Sequence, residues 1–207
     1  MSDKEIILVG YSGHAFVLAE TALENGYNIV GYSEHKILDI DPFRLKYLGS
    51  ERDDDFVGWK EEFAFIIGIG DNNVRQQIAK LIEGKSGSVE TIIHKTACIS
   101  NSAKLGKGCF VNKNVSVNAL AIIGADVILN TGCIIEHECV IEDAAHIAPG
   151  AVLAGNVRVG ERTFIGANAV VKQGVVIGKD VFIGAGTVVL NNISDGSKIV
   201  GNPGRQI

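Results

Sequence analysis

From Ile93 to Ile193 the chain repeats every six residues without interruption, and a fixed period held that long constrains the fold more than any single residue does. The first position of each hexad is aliphatic throughout, from Ile93, Ile99 and Leu105 to Ile177, Ile183 and Val189. The fifth is mostly small, as at Ala97, Ala103, Cys109, Cys133, Cys139, Ala145 and Ala151. Positions one and five are an even number of residues apart, so on an extended strand they face the same side. A hexad is too short for a helix and a turn. It fits one short strand and a bend, with Gly or Asn relieving backbone strain at the bend. Such a strand cannot bury its apolar edge alone, so successive coils must stack into a solenoid. A helix would not keep a period of six over this length.

The residues before Ile93 read differently. Lys4 to Val9 is a buried strand, and Ala15 to Asn25 carries helical spacing. A second strand spans Gly26 to Tyr32 and a third Phe63 to Ile69, with a helix from Val74 to Ile82. Strand, Gly-rich turn, helix, strand is the opening of a parallel α/β sheet. The chain is therefore expected to hold an α/β Rossmann-like module over 1–92 and a solenoid over 93–207. Between the first strand and helix stands Gly10-Tyr-Ser-Gly-His14. Free backbone N–H groups at a helix start attract anions, so Ser12 to His14 can hold a pyrophosphate. Gly10-x-x-Gly13 is only part of the dinucleotide fingerprint, and a tight turn without ligand explains it equally well. Residues 35–58 read as an irregular connection.

Composition narrows the class. Hydrophobic residues make up 46% of the chain, ample for a core, and 25 Gly suit a turn-rich solenoid. Residues 1–92 carry 9 Lys/Arg and 16 Asp/Glu (net −7), and 93–207 carry 10 and 8 (net +2), summing to −5. No basic face for nucleic acid is apparent. No apolar run approaches the ~20 residues needed to span a bilayer, and no signal peptide precedes Ile6. Cys109, Cys133 and Cys139 fall at the inward fifth position and read as reduced core residues; no CxxC or zinc spacing occurs. A cytoplasmic location is expected.

His137 occupies hexad position three, between Glu136 and Glu138, where side chains leave the core. Acyl transfer to an amine or hydroxyl needs a base, and a neutral imidazole oriented by a carboxylate suits that task. On spacing alone, a solvated histidine beside ordinary acids fits as well.

The order of motifs adds to this reading. Gly10-Tyr-Ser-Gly-His14 is followed by Ile69-Gly-Asp-Asn-Asn-Val-Arg75, then Ile92-Ile-His-Lys-Thr-Ala97 and the hexads. With Leu129-Asn-Thr-Gly-Cys-Ile-Ile-Glu-His-Glu-Cys-Val140, Ala154-Gly-Asn-Val157 and the closing Val200-Gly-Asn-Pro-Gly-Arg205, the chain resembles the PglD/NeuD-like sugar acyltransferases over nearly its whole length. That resemblance implies a left-handed parallel β-helix of triangular coils. It implies a homotrimeric nucleotide-sugar N-acetyltransferase that uses acetyl-CoA and no metal. It places His137 as base with Glu138 as partner, His146 near the thioester, and the Gly155 N–H at the oxyanion. Ala167 and Ala185 fall on positions lining the pantetheine arm. Ser12, Gly13, His14 and Gly70 fall on nucleotide-sugar contacts. Where relatives carry an acidic pair after the second strand, this chain has Ser33-Glu34, so only Glu34 remains to read the base. His35, His94 and Asp53 to Asp55 read as ordinary polar groups of loops or surface.

Two other classes share these features. One is an O-acetyltransferase of a sialic-acid-type sugar, in which the same histidine deprotonates a hydroxyl. The other is a non-catalytic hexapeptide protein or a carbonic-anhydrase-like scaffold. The last wants three histidine ligands for zinc, and His94, His137 and His146 do not share a hexad position.

Overall fold

The computed structural model describes residues 5–60 and 63–207. It divides into two compact units, Met1–Ile92 and Ile93–Ile207. Lys4 of the expected first strand, and the segment before it that was read for a leader, lie outside the described residues.

The first unit is built on four parallel strands in the order β2-β1-β3-β4, namely β1 (Glu5–Val9), β2 (Asn28–Ser33), β3 (Ala64–Ile67) and β4 (Ser88–Val89). Ile6, Ile7, Leu8 and Val9 are all buried, as expected of a strand covered on both faces. Helix α1 (Gly13–Glu24) follows β1, and α2 (Asn72–Gly84) follows β3. Both helices start before their expected first residues. Asp71 explains the start of α2, because its carboxylate accepts the Val74 N–H at 2.9 Å and caps the helix. Residues 35–58 are irregular apart from a 3-10 turn at Val57–Trp59 and a bridge from Tyr47 to Tyr32. Tyr11 anchors this segment. Its hydroxyl donates to Asp41 Oδ1 at 2.6 Å, and its ring stacks on Tyr32 at 4.1 Å.

The second unit is the solenoid. Its short strands run from β5 (Ile92–Ile93) to β21 (Val188–Val189), closed by β22 (Lys198–Val200) and an antiparallel β23 (Arg205–Gln206). Every third strand pairs in parallel, Ile122 with Val140 and Ile128 with His146, so three hexads make one coil and three sheets form its faces. First- and fifth-position residues fill one continuous core, from Cys109 and Val111 to Ile183 and Val189. At the first coil Ile99 and Leu105 are only partly buried, because no coil covers them from below. Cys109, Cys133 and Cys139 are free thiols inside this core, and burial pushes Cys133 up to about 12.

Gly and Asn do relieve the bend, at position four, where Gly108, Gly132, Gly150, Gly174 and Gly186 take positive φ; the second-position glycines, such as Gly160 and Gly166, do not. They serve close stacking. A Cβ at Gly160 would lie 2.5 Å from Gly178 C, and one at Gly166 would lie 2.6 Å from Ala185 N. The left-handed residue is at position four, where Asn114, Asp126, Glu138, Ala144, Asn156 and Asp180 all have φ between 55° and 61°. Among the described residues no helix is long and apolar enough to cross a membrane.

Candidate active site

In the first unit the carboxyl ends of β1, β2 and β3 open on a cavity of about 280 Å³. It lies where the strand order turns back across β1, the place at which open parallel sheets bind ligands. Val9 and Gly10, Ser33 and Glu34, and Gly68 to Gly70 line it, with Ser12 and His14 at the start of α1. Four of the five residues expected to hold the nucleotide sugar (Ser12, His14, Glu34 and Gly70) therefore share one cavity. Gly13 lines the adjoining one, of about 390 Å³, which Ser12 also borders. Ser12 is the N-cap of α1 and makes no side-chain cap bond.

Residues that sequence reasoning passed over support the cavity or line it. Arg75 is buried on α2, and its guanidinium donates to the carbonyls of Ile69 (3.2 Å) and Gly70 (3.1 Å) and to Asn72 Oδ1 (2.9 Å). It thus holds the Gly70 turn by its oxygens. Buried Glu51 accepts from Ser33 Oγ, and both line the cavity beside Arg52 and His35. No sequence motif announced Glu51, because it arrives from the irregular segment. Glu34 also braces the site, accepting the N–H groups of Tyr11 (3.4 Å) and His35 (3.0 Å).

Burial, and then the charge of Arg75, lower the His14 pKa from 6.5 to about 4. The imidazole is therefore neutral near pH 7. The unfolded chain protonates this histidine below pH 6.5 and the folded one does not, so stability falls as pH drops from 6.5 to 4 and the effect levels off below that. The full amplitude is about 3 kcal/mol at 1.36 kcal/mol per pKa unit. We expect urea denaturation of native protein and a His14→Gln variant to converge on acidification over this window. Parallel pH curves for the two would show that His14 titrates normally.

In the second unit His137 and Glu138 stand on one bend, both exposed. The imidazole Nδ1 and Glu138 Oε2 are 3.1 Å apart. Gly155 is stacked one coil above His137, and a Cβ there would overlap the imidazole. Among the described residues the N–H groups of Gly155, Ala167 and Ala185 make no hydrogen bond, whereas the equivalent N–H of Thr131 is taken by Asn130 Oδ1 and that of Ala125 by Asp143 Oδ1. His146 is on a neighbouring face, 8% exposed, with its ring edge-to-face on Phe164 at 5.1 Å. His94 is not a surface group. It is buried, and its Nδ1 accepts the Thr96 N–H at 3.1 Å. Among the described residues no cluster of three His, Cys, Asp or Glu can hold a metal.

A solved structure of PerB from Caulobacter crescentus with CoA and GDP-perosamine is 30% identical, with a TM-score of 0.91, and the match covers all of this chain and 98% of that one. A variant of perosamine N-acetyltransferase from the same organism, also with CoA and GDP-perosamine, is 31% identical over 98% of its length, with a TM-score of 0.89. The chain belongs to the PglD/NeuD-like nucleotide-sugar acetyltransferases. The model of the PglD N-terminal domain matches residues 5–82 of this PglD-like chain, and the bacterial transferase hexapeptide model matches 156–191. The acetyltransferase domain of PglB from Neisseria gonorrhoeae with acetyl coenzyme A aligns over the full length of both chains at 29% identity and a TM-score of 0.92.

Proposed function

We propose that this protein is an acetyl-CoA-dependent N-acetyltransferase acting on the 4-amino group of a nucleotide-linked amino sugar. The observation that carries the reading is the His137–Glu138 pair beside Gly155. Glu138 accepts from Nδ1–H, which leaves the Nε2 lone pair to take a proton. Glu138 also sits at φ 61°, the left-handed position that other coils fill with residues as different as Gly, Asn, Asp, Leu120, Ala144 and Arg162.

In the reaction the amine nitrogen attacks the thioester carbonyl, and a C–N bond forms. His137 Nε2 accepts the ammonium proton. The Gly155 N–H steadies the oxyanion of the tetrahedral intermediate. The C–S bond then breaks, and the thiolate leaves and is protonated to CoA. The buried thiols of Cys133 and Cys139 are raised by burial and take no covalent part.

The first unit holds the nucleotide sugar, with Ser12, Gly13 and the start of α1 at the diphosphate, neutral His14 and the Gly70 turn at the sugar side, and Glu34 toward the base. The solenoid holds acetyl-CoA through His146, Gly155, Ala167 and Ala185. The active form is a homotrimer. Ile122 and Val176 point outward from one face of the solenoid and stay exposed on a single chain, apolar side chains that self-association through that face would bury.

The decisive test is thiol release from acetyl-CoA with UDP-, dTDP- and GDP-linked 4-amino sugars. Release with hydroxyl acceptors alone would assign O-acetyl transfer instead. A Cβ at Gly13 meets nothing within 4 Å, so Gly13→Val leaves the fold intact. The added branch occupies the approach of the phosphates. Calorimetry should show roughly tenfold or greater loss of nucleotide-sugar affinity with acetyl-CoA affinity unchanged. Equal loss of both, or of neither, would place the acceptor elsewhere.

A further inference from the structure

Cys139 follows the His137–Glu138 bend and turns its thiol into the core, where Sγ donates to the Ala154 carbonyl at 3.2 Å. That carbonyl accepts no other hydrogen bond among the described residues. It belongs to the same peptide unit as the Gly155 N–H. The bond recurs at two other fifth positions, each to a carbonyl fifteen residues on: Cys109 Sγ to Gly124 O at 3.1 Å, and Thr163 Oγ1 to Gly178 O at 2.7 Å. In both of those turns the N–H of the peptide so held donates to a carboxylate, Ala125 N–H to Asp143 Oδ1 at 2.8 Å and Lys179 N–H to Asp195 Oδ1 at 3.0 Å. Gly155 N–H meets no such acceptor among the described residues, and where Asp143 stands eighteen residues beyond Ala125, Gln173 stands in the same relation to Gly155. Burial holds the Cys139 thiol above its ordinary pKa, so the sulfur keeps its proton near pH 7 and donates. A peptide carbonyl that accepts a hydrogen bond draws electron density from its own N–H through the conjugated bond, and that N–H donates more strongly.

We propose that Cys139 is a positioning residue for the oxyanion donor: its thiol fixes and polarises the Ala154–Gly155 peptide, so that the Gly155 N–H is aimed and strengthened for the charge developing on the thioester oxygen. The hydrogen bond stands on the geometry; its use in the reaction rests on the function proposed above. On the other side of the same turn the Asn156 N–H donates to the His137 carbonyl at 2.8 Å. Residues 137–139 thus present the base outward and, through one carbonyl and one thiol, hold the turn that carries the oxyanion donor. The turns at Gly124 and Gly178 show what a peptide held in this way receives. Each meets a carboxylate oxygen, which carries the same sign of charge as the oxyanion of the tetrahedral intermediate.

Thr and Val have the same shape and differ by a hydroxyl donor, and position five already holds both, at Thr163 and Val157. In the full chain labelled with ¹⁵N-glycine, the Gly155 amide resonance is assigned by its loss in Gly155→Ala. It should shift in Cys139→Val, because the amide nitrogen senses a hydrogen bond to the carbonyl of its own peptide, and Cys139→Thr should return it toward its native position. Removing an oxyanion donor outright costs roughly 10²–10³-fold in turnover, and polarisation supplies about 10–30% of a hydrogen bond's strength. Turnover of Cys139→Val at saturating acetyl-CoA and acceptor should therefore fall roughly two- to eightfold, with both KM values unchanged, and Cys139→Thr should restore it. The Cys133 thiol, also at position five, makes no hydrogen bond among the described residues, so Cys133→Val should keep native turnover. Should Cys139→Val not fold, Cys139→Ala takes its place, since Ala145 and Ala151 fill the same position in neighbouring hexads. An unmoved Gly155 resonance would overturn the proposal whatever the turnover. A moved resonance with native turnover would overturn both the catalytic use of the thiol and the oxyanion reading of Gly155. Equal losses in Cys139→Thr and Cys139→Val, or the same loss in Cys133→Val, would assign the effect to core packing and overturn the proposal. The spectrum needs no substrate, so a native chain without acetyl transfer would overturn the proposed function, and the thiol's use in it, while the resonance still decides the hydrogen bond.

Discussion

Replacing His137 by Ala is expected to lower turnover by roughly 10²–10⁴-fold, the range for loss of a general base, while acetyl-CoA affinity changes little. In the proposed mechanism the imidazole acts on the acceptor amine, and other residues hold CoA. Glu138→Ala should cost less, because the base remains and only loses the carboxylate 3.1 Å from its Nδ1. His146→Ala should instead weaken acetyl-CoA binding. Gly155→Ala should approach the His137→Ala loss, since its Cβ would enter the space of the imidazole and move a group whose placement must hold to a fraction of an ångström. These four variants, measured at saturating acetyl-CoA and acceptor, separate the base from the binding groups. Near-native turnover in His137→Ala would sink the mechanism and favour an amine that surrenders its proton to water.

Ile135→Asp is expected to destabilise the solenoid by roughly 4 kcal/mol or more, the scale of an unpaired charge forced into a dry core. Ile135 is fully buried among first- and fifth-position side chains, and its coil pairs above with Leu153 and below with Val117. A loss of that size corresponds to a fall in Tm of about 10 °C for a chain of this length. The neighbouring Ile134, which faces outward on the same strand, provides the control: Ile134→Asp should cost far less. Equal melting temperatures for the two variants would refute the assigned register.

Much of the solenoid was legible because its rule is local and repeated. An aliphatic residue at every sixth position can be buried in only one way on stacked short strands, so Val111, Leu129, Ile147 and Ile165 announce their own environment. Within the first unit the strands were readable for a similar reason, while the helix starts were missed by two residues each. Asp71 is a good N-cap, and its carboxylate sets the start of α2 two residues ahead of Val74.

Other features depended on contacts between residues far apart in sequence. The second-position glycines are points of contact between coils, a role that shows only with the next coil in place. The left-handed position four went unnoticed because side chains as different as Asn114, Leu120, Glu138 and Arg162 share it; stacking imposes the conformation whatever the residue. Glu51 and Arg52 reach the cavity from an irregular segment with no period to read. By itself the sequence determined the repeat, the two modules and the histidine beside two acids, since each is set by residues within a hexad or a single turn. Only the tertiary structure decided that Gly155 lies against His137, that Arg75 holds the Gly70 turn, and that Asn130 lies against His146. Those pairings join residues a coil apart or across a strand–helix turn, and their energies come from burial and hydrogen-bond direction, which no local pattern records.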